Sequence, residues 1–244
     1  MKFSRLIQSL KLPNTKPQTL KVPDKFNRNS NNVTSLMTPE QSGAWLLERM
    51  RQQIGLETYA DKKILDFGCG VRFSQAIINT SLPFGEYVGV DVCYEMIEFL
   101  QQRVTDSRFK FVFLNGFHPL YNPGGIVLSP DTRLPIDSDF DVACMFSVIT
   151  HQHPPDCRSI FSILRRYVAA EGHLFFTCFL DDSIPTFADR SPEQNGGRCF
   201  YNPAYLRRLA EDCGWQFVNQ APSEGPIIGD SFVFQPRRLL NREP

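Results

Sequence analysis

Three residues in a run of eight could do chemistry together. In Lys63-Ile64-Leu65-Asp66-Phe67-Gly68-Cys69-Gly70, an apolar stretch ends in an acid and then breaks into glycines. The apolar stretch has strand character, and the segment from about Ser74 to Asn79 reads as the start of a helix. A strand–turn–helix unit of this kind brings backbone N–H groups and a helix N-terminus against a ligand. Gly68 and Gly70 have no Cβ, so the chain can turn sharply and a cofactor can lie on the backbone. A carboxylate at position 66 would repel a pyrophosphate and attract a cation, so a positively charged cofactor is expected. A second acid, Asp91, closes the apolar run Tyr87-Val88-Gly89-Val90 and lies 25 residues after Asp66, about one βαβ unit. Two carboxylate oxygens at the end of a second strand suit the vicinal hydroxyls of a ribose.

Further along, Phe140 to Phe146 reads as a strand that runs into Ser147-Val148-Ile149-Thr150-His151-Gln152-His153. His173 to Phe179 reads as another, followed by Asp181 and Asp182. In a parallel sheet, ligands collect at the carboxyl ends of the strands. His151, His153, Asp181 and Asp182 are therefore the residues expected to face a second substrate. A histidine there can act as a base toward a hydroxyl, and His151 is the candidate catalytic residue.

The acid-x-Gly-x-Gly run resembles motif I of the class I S-adenosylmethionine-dependent methyltransferases, which usually continues to a third glycine. Here Val71, Arg72 and Phe73 follow, so either Arg72 replaces that glycine or the turn is one residue shorter. The segment from Phe140 to His151 is similar to the Phe-Asp-hydrophobic…Ser-Val-x-Thr-His stretch of many small-molecule methyltransferases of that class. The resemblance implies S-adenosylmethionine as cofactor, with Asp66, Gly68, Gly70 and Arg72 at its methionine end and Asp91 and Val92 at the ribose. It also implies Asn115 at the adenine edge, Phe146 on the cofactor wall, and His153 and Asp181 toward the acceptor. The activity implied is methyl transfer to a small-molecule or sugar-like acceptor at oxygen. A nicotinamide-dependent oxidoreductase shares the glycine turn but would carry glycine where Phe73 stands and no acid at 66. An inactive methyltransferase-fold interaction protein is the other alternative.

These residues need a frame to hold them. Strands alternating with helices give an α/β fold with a parallel sheet and right-handed crossovers. Trp215–Asn219 and Ser231–Gln235 read as a C-terminal antiparallel hairpin. With the resemblance, the expected architecture is a Rossmann-like, doubly wound, mostly parallel seven-stranded sheet. Thr38-Pro39-Glu40-Gln41 opens a helix with a cap, a first-turn proline and a capping box, and Gly55 stops it. Asp156 can cap a later helix. Two irregular stretches, Phe117–Asp139 and Asp181–Tyr201, are expected to line the acceptor side, with His118, Tyr121 and Asn122 as candidate contacts in the first.

Residues 1–37 read as a basic, partly flexible arm, with seven basic residues against the single acid Asp24, and residues 38–244 as the methyltransferase domain. Phe3, Leu6, Ile7 and Leu10 share one helical face, but the better expectation is an extension packed on the domain. The formal net charge is zero, so no overall field draws the chain to nucleic acid. No apolar run approaches the roughly 20 residues of a membrane span. The seven cysteines are widely spaced with no C-x-x-C pair, from which a reducing, cytoplasmic setting and no metal site are expected.

Overall fold

The computed structural model describes residues 19–27, 36–136, 139–191, 197–223 and 229–238. Most of the basic arm, with the helical face of Phe3 to Leu10, lies outside these residues, as does the middle of the second irregular stretch. Strands β1 (Lys63–Phe67), β2 (Glu86–Asp91), β3 (Phe109–Phe113), β4 (Phe140–Met145) and β5 (Val168–Leu180) are parallel, in the spatial order β3-β2-β1-β4-β5. β9 (Asp230–Pro236) adds antiparallel to β5, and β8 (Trp215–Ala221) pairs antiparallel with β9. These seven strands are the expected sheet with its terminal hairpin, and two further short strands bring the whole to nine.

The period-two pattern of the strands explains the two layers of helix. Ile64, Tyr87, Phe111, Val142, Phe175 and Val233 point to one face, where they pack with α1 (Pro39–Ile54), α2 (Arg72–Thr80) and α3 (Tyr94–Arg103). Leu65, Val88, Ala143, Leu174, Phe176 and Phe234 point to the other, against α4 (Pro154–Leu164) and α5 (Pro203–Asp212). Strands covered on both sides read as continuous apolar runs, as these do. Cys144 and Cys178 are fully buried within them, serving as small apolar residues.

α1 begins as its sequence dictates. Thr38 Oγ1 accepts from the Gln41 amide at 3.2 Å and the Gln41 side chain accepts from the Thr38 amide at 3.0 Å. Gly55, with φ of 74°, ends the helix. Gly43 lets α1 lie directly on α2, since a Cβ there would come within 2.8 Å of the Arg72 carbonyl oxygen. That contact presses α1 onto the helix that follows the glycine turn.

Two expectations change. α4 starts at Pro154 with His153 in the cap position, so Asp156 falls in its first turn instead of capping it. The stretch from Asp181 to Tyr201 is also more than an irregular loop. It contains β6 (Phe187–Asp189) and β7 (Cys199–Tyr201), an antiparallel ribbon whose second strand adds parallel to the end of β5. Tyr201 and Cys199 are buried, which supplies the apolar contact that orders the ribbon.

Before the domain proper, Leu20 and Phe26 are buried against it. The Leu20 amide donates to Asn79 Oδ1 at 2.7 Å, and Phe26 packs on Phe99 with ring centroids 5.4 Å apart. Among the described residues, no helix is long and apolar enough to cross a membrane.

Candidate active site

A cleft of about 300 Å³ opens at the carboxyl ends of β1, β2 and β4, a volume at the lower end of small-molecule sites. Asp66, Gly68, Gly70, Arg72, Asp91, Val92, Phe146 and His151 all line it. The turn after β1 is held by β2: the Gly68 and Cys69 amides donate to the Val90 carbonyl at 2.7 and 3.1 Å. Asp91 then fixes both sides of the cleft floor. Its Oδ2 accepts from the Gly70 amide at 3.0 Å and its Oδ1 from the Cys93 amide at 2.9 Å. Each carboxylate oxygen has a second lone pair, so this seating leaves acceptor capacity toward hydroxyls.

The two glycines serve different needs. At Gly68, φ is +79° and a Cβ would meet Val148 Cγ2 at 2.4 Å. At Gly70, φ is +52° and a Cβ would meet nothing within 4 Å, so its open side belongs to the cleft. A second left-handed residue, Ser147 with φ of 56°, follows β4. Its amide donates to Thr177 Oγ1 at 2.8 Å, which anchors a backbone conformation that costs a non-glycine residue about 1–2 kcal/mol. The bend turns the chain from Phe146 into the short helical turn Ile149–His151.

Asp66 differs from the expectation of a fully ionised carboxylate. It is buried at the end of β1, its Oδ2 accepts from the Tyr87 hydroxyl at 2.6 Å, and the Cys144 thiol lies beside it. Burial pushes its carboxyl up to about 7, against which the Tyr87 and Cys144 hydrogen bonds act only partly. The group is therefore divided between its acid and its anion near neutrality, and a cation arriving in the cleft draws it to the anion. Arg72, the first residue of α2, stands on the same wall, and burial lowers its guanidinium from the usual arginine range. A partly buried guanidinium loses hydration, which an anion brought into the cleft would offset.

Phe146 meets Phe73 edge to face at 4.7 Å and Phe175 at 5.1 Å, so its ring is a rigid part of the wall. His151 Nδ1 lies 2.8 Å from the Gly197 carbonyl oxygen. A carbonyl only accepts, so Nδ1 carries the hydrogen, and in the neutral ring Nε2 presents its lone pair.

Asn115, His153 and Asp181 lie off the cleft wall. Asn115 Oδ1 accepts from Asn122 Nδ2 at 3.0 Å, within the loop after β3. His153 Nε2 is 3.0 Å from Asp189 Oδ2, and Asp181 pairs with Arg190 and accepts from Ser183. Of the first irregular stretch, His118 and Tyr121 reach the cleft together with Phe117 and Leu128. His118 is committed to that loop, its Nδ1 accepting from the Leu120 and Tyr121 amides at 3.1 and 3.2 Å.

Sequence reasoning missed Phe26 and Asn27, which return from the N-terminal segment to the cleft. The only local hint was an apolar residue inside a basic, polar stretch. It also missed Gln75 and Leu46, which come from helices pressed together over Gly43.

Residues 42–220 match the family model described as a methyltransferase domain, and the chain belongs to that family. Solved structures with similar folds include an S-adenosylmethionine-dependent methyltransferase from Clostridium acetobutylicum, at 10% identity and a TM-score of 0.56, with 84% of this chain and 94% of that one covered. The glycopeptide N-methyltransferase MtfA in complex with S-adenosyl-L-homocysteine superposes with a TM-score of 0.54 at 10% identity, with 82% and 91% covered. The PH0226 protein from Pyrococcus horikoshii matches at 16% identity and a TM-score of 0.55, with 89% and 100% covered. These likenesses show the class I fold, and with the family they make this chain an S-adenosylmethionine-dependent methyltransferase. The nicotinamide alternative falls with that match.

The residues present suit the cofactor. Asp66, Arg72 and Asp91 line one cleft with the glycine turn, a donor and acceptor set whose chemistry matches an ammonium, a carboxylate and vicinal hydroxyls. Between them the open side of Gly70 admits close approach of a ligand to the backbone.

Proposed function

We propose that this methyltransferase acts at a hydroxyl oxygen of a small-molecule acceptor, with His151 as the base. Bound S-adenosylmethionine supplies an electrophilic methyl group. Asp66 would take the ammonium of its methionine end and Arg72 the carboxylate, the arginine standing in place of the third glycine of motif I. A carboxylate–guanidinium pair is well matched in geometry and about twice as strong as a neutral hydrogen bond. Asp91 would hold the ribose hydroxyls. Val92, Leu114 and Leu128 would form the apolar slot for the base, a role in which they replace Asn115.

The acceptor side is formed by Phe117, Tyr121, His151 and Gln152, an aromatic rim that favours a compact acceptor with an apolar face over a nucleic-acid strand. One observation carries the choice of oxygen: the Gly197 carbonyl accepts from His151 Nδ1, so in the neutral ring Nε2 is the basic nitrogen, the one able to take a proton from a hydroxyl. An amine acceptor would need positioning alone. Residues 38–244 would form the catalytic domain, with the segment from Leu20 to Phe26 packed on it as an extension.

The test is a panel of hydroxyl and amine acceptors assayed for methylated product by mass spectrometry, with His151→Gln beside the wild type. A hydroxyl product, whose rate falls about 10²- to 10⁴-fold in the variant while cofactor affinity is kept, supports the reading. Methylation confined to amines, or a variant with unchanged rate on a hydroxyl acceptor, refutes it.

A further inference from the structure

Beside the cleft, a second group of side chains brings three different donor atoms together. A nitrogen of His153, a carboxylate oxygen of Asp189 and the sulfur of Cys199 all lie within 4.8 Å of one another. Asp189 and Cys199 are paired across the β6–β7 ribbon, so their side chains leave the same face. His153 reaches them from the start of α4, where two prolines fix the chain.

Each donor is oriented by its surroundings. His153 Nε2 is 3.0 Å from Asp189 Oδ2, and its ring lies against Phe187 with centroids 5.1 Å apart. Asp189 Oδ1 accepts from the Ser191 amide at 3.1 Å. Gly197 lets the chain close over that carboxylate, since a Cβ there would stand 2.8 Å from Asp189 Oδ1. Cys199 is held in the buried floor of the ribbon.

Imidazole, carboxylate and thiolate together are a ligand set for zinc and its neighbours, whereas magnesium and calcium take oxygen donors. Bonds of about 2.0–2.3 Å around a tetrahedral ion place ligand atoms roughly 3.3–3.8 Å apart, so small rotations of the three side chains would close the site. We infer that His153, Asp189 and Cys199 bind one zinc-class divalent cation that clamps the β6–β7 ribbon to the start of α4. On binding, the Cys199 S–H bond breaks and its proton passes to solvent as the sulfur–metal bond forms. The hydrogen that His153 Nε2 directs at Asp189 also passes to solvent while Nδ1 takes one up, so a neutral imidazole offers its Nε2 lone pair to the ion. No electron changes hands. The ion replaces the hydrogen bond between His153 and Asp189. The clamp also bears on the cleft, because Gly197, two residues before Cys199, holds His151 through its carbonyl.

The test uses the full-length protein stripped with chelator and titrated with cobalt(II), then with zinc(II) in competition. The result expected is one cobalt per chain with a thiolate-to-cobalt charge-transfer band that zinc abolishes. That band disappears in Cys199→Ser, weakens in His153→Ala with an affinity at least about 10-fold lower, and persists when Cys93 and Cys213 are both changed to Ser. Should Cys199→Ser fail to fold by circular dichroism, His153→Ala, at an exposed position, carries the same test. Absence of a stoichiometric band in the wild type overturns the site and leaves a bare His153–Asp189 pair. So does a band that survives Cys199→Ser, or one unaffected by His153→Ala.

Discussion

Replacing Asp66 with asparagine separates what this residue does for the cofactor from what it does to the fold. Its carboxyl is pushed by burial from 3.8 up to about 7. A folded-state value above the unfolded one means that the folded chain holds the proton longer, so stability falls as pH rises from the unfolded value through the folded one. Each tenfold difference in proton affinity between the folded and unfolded chain is worth about 1.4 kcal/mol, and the full effect is roughly 4 kcal/mol at alkaline pH. Between about pH 5 and about pH 8, the wild type should lose about 2.5 kcal/mol through this group. Asp66→Asn has no proton to lose there, while its side-chain oxygen still accepts from the Tyr87 hydroxyl. Urea unfolding across that range should therefore show the variant gaining on the wild type as pH rises, and exceeding it at the alkaline end. Cofactor affinity should move the other way. Loss of a charge-assisted hydrogen bond to the ammonium corresponds to about 10- to 100-fold weaker binding. A stability difference that does not change with pH would refute the reasoning, because it would mean that the carboxyl is ionised throughout.

The two glycines of the turn should respond differently to alanine. Gly68→Ala meets Val148 in a left-handed backbone and should cost about 3 kcal/mol of stability by denaturant titration. Gly70→Ala should cost only about 1–2 kcal/mol, since its surroundings are open. Its larger effect should be on S-adenosylmethionine affinity, because the new methyl enters the cleft. Arg72→Ala should weaken the cofactor by about 10-fold or more, with Arg72→Lys recovering only part of that, since an ammonium lacks the planar fork. Equal affinity in all three proteins would remove Arg72 from the site.

Local signals carried most of the fold. The Thr38–Gln41 capping box, the Gly55 stop and the glycine turn each depend on residues within a few positions, and each stands where the sequence places it. The parallel sense of the strands follows from alternating elements and right-handed crossovers, while the order β3-β2-β1-β4-β5 is set by pairings between distant segments. Pairings set at long range were hidden. The Tyr87 hydroxyl that meets Asp66 is 21 residues away, and the aspartate bonded to His153 is 36 residues away. Three-residue strands such as β6 and β7 have too little sequence to show a period, and they become strands only against the end of β5. Asn115 has the right type and sequence position for an adenine contact, yet it lies off the cleft wall, bonded to Asn122 within the loop after β3. Ser147 gives no sign of its positive φ, which serine seldom adopts and which here depends on Thr177.

The most direct measurement is calorimetric titration of the protein with S-adenosylmethionine, beside Asp91→Ala. Asp91 joins the glycine turn to the end of β2 through the Gly70 and Cys93 amides, and it is the residue assigned to the ribose. The result expected is one site per chain in the wild type and binding about 100-fold weaker in a folded Asp91→Ala. Binding of the same strength in both proteins, or none to a folded wild type, would contradict the assignment of this cleft as the cofactor site.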